Sequence, residues 1–110
     1  MRISSLVFAL TFCLGIVGYA IAEDGGKNLK VLPKTMSKVE IKKVMKAMSA
    51  SLGVECDHCH NTEDMAVDTK HKLEAREMMV MVNDINKRYF KGEMEVTCKT
   101  CHRGQHEPSE

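Results

Sequence analysis

Two short stretches combine thiols with an imidazole: Cys56-Asp57-His58-Cys59-His60 and Cys98-Lys99-Thr100-Cys101-His102. Cysteines three residues apart put both sulfurs on one side of a single helical turn. The histidine that follows at once projects beside them. Cys-x-x-Cys-His is the attachment pattern for c-type haem: two thiols add to the vinyl groups along one side of the porphyrin, and the imidazole becomes an axial iron ligand. The pattern predicts two covalently bound c-type haems (iron), tethered by Cys56, Cys59, Cys98 and Cys101. His60 and His102 are the expected proximal iron ligands. Competing uses of these cysteines explain less. Disulfides are the default for an even cysteine count in an oxidising compartment, but they leave both adjacent histidines without a role. A zinc ribbon spaces its Cys-x-x-Cys pairs by roughly 15–20 residues, and here the pairs lie much farther apart. A thioredoxin-like motif needs a βαβ context, which the pattern lacks.

The ligand opposite each histidine decides the chemistry. Methionine or histidine there closes the iron and makes an electron carrier, whereas an open position lets small molecules bind. The chain has nine methionines, a residue that is more often flexible core filler than ligand. Several of them lie on helices that must position the motifs. A helix is predicted over 37–52, opened by the capping box Ser37…Glu40 and stopped by Gly53. Its face of Ile41, Val44, Met45, Met48 and Leu52 recurs at helical spacing, with Lys42, Lys43 and Lys46 turned away. A longer helix is predicted over about 69–91, capped by Asp68 or Thr69 and ended by Gly92. Ala75, Met78, Met79, Val82, Ile85 and Tyr89 make its apolar face, with His71 at the start. Periodicity leaves Met45 or Met48 open for the first iron and Met78 or Met79 for the second. His71 and His106 are the imidazole alternatives, and His58, inside its own motif, should point away from its iron.

The order is helix, cysteine motif, polar loop 61–68, helix, short extended link 93–97, cysteine motif and polar tail, a weak repeat of two units. The expected fold is mostly α: a small c-type cytochrome with two helix–CxxCH units packed around two haems. Its domain spans 36–110 and follows a flexible, then extended leader over 23–35 that contains Gly25-Gly26 and Pro33. Residues 1–22 read as a signal peptide: a positive start at Arg2, an apolar run, and Ala20-Ile21-Ala22 as the cleavage site. Export to the periplasm follows. If the segment stays uncleaved it anchors the protein in the membrane, facing the periplasm. Cys13 is an apolar residue of that segment, since Phe12 before it does not suit a lipid-attachment site. A net charge of +1 gives no basic excess for nucleic acid. There is no Trp, and of three Phe only Phe90 lies beyond the leader, so something other than aromatic side chains must fill the core.

The stretches Val44–His60 and Ala75–Pro108 resemble the haem-binding segments of the cytochrome c subunit of photosynthetic reaction centres, with "TCKTCHRG" the most specific part. The resemblance covers about 28–108. It implies a distal-methionine helix before each motif and places the distal iron ligands at Met45 and Met78. Three departures stand out. That subunit carries four haems, whereas this chain has motifs for two. It places a histidine between its second helix and motif, and 91–97 holds none here. Its lipid-bearing cysteine has no counterpart. The chain therefore resembles one half of that subunit, a small dihaem cytochrome that performs outer-sphere electron transfer with redox protein partners and has no catalytic residues. Arg103 is placed to pair with a haem propionate. The alternatives are a small peroxidase-like dihaem enzyme with one open iron and a zinc-binding CxxC module.

Overall fold

A computed structural model describes residues 26–108 and residue 110; the expected signal peptide lies outside the described residues. Four helices form the regular structure among them: α1 (Lys38–Leu52), α2 (Cys56–Cys59), α3 (Lys70–Tyr89) and α4 (Cys98–His102). α1 starts where its capping box requires. The Ser37 N–H donates to Glu40 Oε2 at 2.9 Å, and the Glu40 N–H returns to Ser37 Oγ at 3.3 Å. Those Ser37 hydrogen bonds hold the Glu40 carboxyl below its usual range. Gly53 ends α1 in the left-handed region at φ 65°, a conformation that costs glycine little. Of the two candidate caps for α3, Thr69 is the one used, accepting from the Lys72 N–H at 3.2 Å. α3 stops at Tyr89, slightly earlier than the glycine signal implied, because Lys91 already has positive φ before Gly92. The Phe90 and Gly92 N–H groups both return to the Asn86 carbonyl at 3.0 Å.

The packing interlaces the two units. α1 packs on α4, and α2 packs on α3, so each long helix supports the cysteine turn of the other unit; α3 also touches α4. Among the described residues no hydrophobic side chain is buried. The apolar faces of α1 and α3 instead line two cavities. Tyr89, expected on the inner face of α3, is 75 % exposed because the chain turns away just after it. Segment 26–36 also departs from an extended path. It is a run of turns, with the Met36 N–H bonded to the Pro33 carbonyl at 3.0 Å.

The one buried residue described is Asn86, 3 % exposed. Its Nδ2 donates to the Val96 carbonyl at 2.7 Å, and the Val96 N–H donates to its Oδ1 at 2.9 Å. This side chain pairs with the link as a neighbouring strand would, and it delivers the second motif to its place. Asn86→Leu keeps the volume but leaves both Val96 backbone groups unpaired. The expected loss is about 2–4 kcal/mol, from two orphaned groups of roughly 1–3 kcal/mol each, reduced where water reaches them. A denaturant titration in which Asn86→Leu unfolds at the wild-type midpoint would contradict this role.

Candidate haem-binding sites

α2 is a single turn that opens at Cys56. His60 leaves it in extended geometry (φ −107°, ψ 145°), with its N–H still bonded to the Cys56 carbonyl at 2.9 Å. All four cysteines of the two motifs are free thiols. Burial, and then the charge of Glu74, push the Cys59 thiol upward, so it stays protonated at neutral pH. Two hydroxyl groups hold the turn from either side. Thr69 Oγ1, the cap of α3, donates to the Cys59 carbonyl, and Ser49 Oγ from the last turn of α1 donates to the Val54 carbonyl.

The first cavity, about 340 Å³, is lined by Cys56, Cys59 and His60, by Met45, Met48 and Leu52 of α1, and by Ala75, Arg76 and Met79 of α3. Leu29 and Leu32, ahead of α1, close another side. The second, about 60 Å³, is lined by Cys98, Cys101, His102, Met48, Met78, Met79 and Met81. Met45 thus lines only the first cavity and Met78 only the second, while Met48 and Met79 line both. His58, His71 and His106 line neither, and neither does Arg103, which occupies the exposed left-handed C-cap of α4.

The two motif histidines are prepared alike. His60 Nδ1 lies 3.2 Å from the Met65 carbonyl, and His102 Nδ1 lies 3.1 Å from the Gln105 carbonyl. A carbonyl only accepts, so each Nδ1 carries the proton and each Nε2 keeps a free lone pair, the tautomer that metal ligation requires. An imidazole with free Nε2 and a thioether around one largely apolar cavity make a donor set that fits haem iron, and the two thiols beside them fit its covalent attachment.

The loop carrying the Met65 carbonyl is braced from α3. Lys72 Nζ donates to the Met65, Ala66 and Val67 carbonyls at 2.9, 3.0 and 3.1 Å. Arg76 pairs with Asp68 at 2.9 Å and donates to the Asn28 carbonyl at 3.0 Å. Asn28, at φ 63°, binds the Ala66 carbonyl and Asp68, each at 2.7 Å. Lys72 and Arg76, nearly covered, also line the first cavity. They are two of the charged groups in its wall, each already paired within the protein. The i, i+4 spacing of Lys72 and Arg76, next to Ala75 and Met79 on the cavity face, is the sequence signal that marks them.

Partial burial raises the Asp68 carboxyl, but the Arg76 hydrogen bond and charge, the Asn28 amide and the Lys72 charge outweigh it and hold Asp68 below its usual range. A depressed carboxyl contributes stability above its unfolded value of about 3.9 and loses it as pH falls through the folded value. Between about pH 5 and pH 2 the wild type should therefore lose more stability than Asp68→Asn. Parallel acid-unfolding curves for the two would count against the brace.

Residues 18–110 match the family model described as the photosynthetic reaction centre cytochrome C subunit. The chain belongs to that family. It is 33 % identical over 104 residues to the photosynthetic reaction center cytochrome c subunit of Roseobacter denitrificans, covering 84 % of this chain and 28 % of that protein. It is 35 % identical over 89 residues to the subunit of the same name from Rubrivivax gelatinosus, covering 76 % and 24 %. Cytochrome c-554 of Chloroflexus aurantiacus is 37 % identical over 62 residues, covering 50 % and 15 %. The chain thus spans about a quarter of the length of the two subunits it matches. No solved structure matches it. Membership of a cytochrome c family implies covalently bound haem, and both cysteine motifs lie inside the matched region. No helix among the described residues is long and apolar enough to cross a membrane.

Proposed function

We propose that the protein is an exported dihaem c-type cytochrome whose function is outer-sphere electron transfer between redox protein partners. In this reading Cys56 and Cys59 tether one haem, and Cys98 and Cys101 the other. His60 and Met45 would ligate the iron of the first, and His102 and Met78 that of the second. Bound haem supplies an iron that cycles between ferric and ferrous. The chain's own residues hold, orient and shield it, and none is required as acid, base or nucleophile. The observation that carries the reading is the pairing, in each cavity, of a carbonyl-oriented motif histidine with methionine thioethers. A thioether opposite imidazole favours the ferrous state relative to two imidazoles and raises the potential. Met45 is preferred to Met48, and Met78 to Met79, because each lines one cavity alone while its neighbour is shared. Met65 and Met81 also line one cavity each, and the family resemblance sets Met45 and Met78 apart from them.

Intact mass under denaturing conditions should show two added haems, and one after Cys56→Ala/Cys59→Ala. The ferric spectrum should carry the methionine–sulfur band for both irons. Met45→Ala and Met78→Ala should each remove the band from one iron, while Met48→Ala and Met79→Ala leave both. Zero added haem ends the reading. A high-spin iron in the wild type that binds carbon monoxide rapidly would replace it with a ligand-binding enzyme.

A further inference from the structure

Three histidines from three separate segments converge outside both cavities. His58 lies in α2, His71 in the first turn of α3, and His106 in the tail beyond α4. The His58 and His71 rings stack at 4.4 Å with an interplanar angle of 19°. His106 meets His58 edge-on at 4.6 Å and lies 6.1 Å from His71. One ring nitrogen of each residue lies within 4.8 Å of the other two. We infer that His58, His71 and His106 form a binding site for a late first-row divalent metal ion such as Zn²⁺, distinct from both haem cavities.

Three features go beyond proximity. First, His58 Nε2 is buried with no hydrogen-bond partner. An orphaned buried nitrogen of that kind costs roughly 1–3 kcal/mol, and ring stacking does not satisfy it; a metal–nitrogen bond does. Second, His71 Nδ1 lies 3.1 Å from Glu74 Oε2. The carboxylate fixes the proton on Nδ1 and leaves Nε2 as the lone pair, the carboxylate–histidine arrangement that orients metal-binding imidazoles. Third, neutral imidazole is a preferred donor for zinc, and three histidines with solvent in the fourth position is an established zinc coordination. Zn–N bonds of about 2.0–2.1 Å in a tetrahedron set nitrogens about 3.3 Å apart. The cluster must therefore tighten by roughly 1.5 Å at most. His106 is exposed, so its side chain can swing inward and the ion can enter from solvent. None of the three histidines lines a haem cavity, so the site competes with no ligand assigned above. A bound ion would fasten the first attachment turn and the start of α3 to the chain leaving the second attachment turn.

The test is a calorimetric titration of the haem-loaded full chain with Zn²⁺, with a thermal melt of the same protein with and without the ion. One Zn²⁺ per chain should bind, and the melting temperature should rise with Zn²⁺, as ligation of the folded state alone requires. His106→Ala and His71→Gln should each weaken binding at least about tenfold and abolish the thermal shift, with haem content and axial-ligand spectra unchanged. No saturable binding, or binding and thermal shift that survive both substitutions, overturns the site.

Discussion

Produced without attached haem, the chain is expected to show no cooperative unfolding transition and little helix by circular dichroism, whereas the haem-loaded protein melts sharply. The reason is the absence of a side-chain core. Among the described residues no hydrophobic side chain is buried, and Val39, Met78, Val80, Met81 and Met94 are each at least 45 % exposed. Apolar burial contributes roughly 25 cal/mol per Å², against about 1–2 kcal/mol of backbone entropy for each ordered residue. Half-covered methionines and valines do not close that gap. Local terms do not either. α1 has 15 residues and α3 has 20, near the length at which isolated helices are marginal in water, and a cap adds only about 1 kcal/mol. In the proposed reading, a planar apolar group tethered at the motif cysteines would cover both helix faces at once, and its burial and iron ligation would exist only in the folded chain, so folding would be linked to its presence. The comparison uses the chain expressed without the haem-attachment machinery, and a chain replaced by serine at all four motif cysteines. A sharp melt with native-like dispersion in either would show that the side chains fold the protein unaided.

The motif residues stand out in the sequence because the chemistry proposed for them dictates residue type and spacing together. Cys56, Cys59 and His60 need no tertiary information to be recognised. The helix starts were equally legible: Ser37–Glu40 and Thr69 are local caps whose hydrogen bonds close within three residues. What stayed hidden was long-range. Asn86 sits four residues after Val82 on a face otherwise read as apolar. Its purpose appears only when the chain returns to place Val96 against it. The spacing of Lys72 and Arg76 puts them beside the apolar face of α3, but their partners in 61–68 and Asn28 appear only in the fold. The repeat predicts two helix–motif units but not that they interlace, because no local pattern states which helix an attachment turn will meet. That interlacing makes one small residue decisive.

Gly53→Ala is expected to destabilise the haem-loaded protein by about 3 kcal/mol or more and to disturb the second attachment turn more than the first. Two costs combine. Gly53 has φ 65°, and a side chain in the left-handed region costs roughly 1–2 kcal/mol. A β-carbon there would also run into the carbonyl oxygen of Gly104, a backbone atom that cannot swing aside as a side-chain tip can. Gly104 is fixed in turn: its N–H bonds to the Ser51 carbonyl at 2.8 Å, and its own φ is 89°. The contact therefore clamps the end of α1 to the turn that follows His102, and relieving it means moving α4 away from α1. Gly92 separates the two costs, since it has φ 88° but nothing within 4 Å of an added β-carbon. Gly92→Ala should lose the conformational part alone, about 1–2 kcal/mol, with both haem spectra unchanged. The difference between the two variants measures the close approach of α1 and α4. If Gly53→Ala and Gly92→Ala melt together, that approach contributes nothing to stability, and the interlacing of the two units does not hold the second site in place.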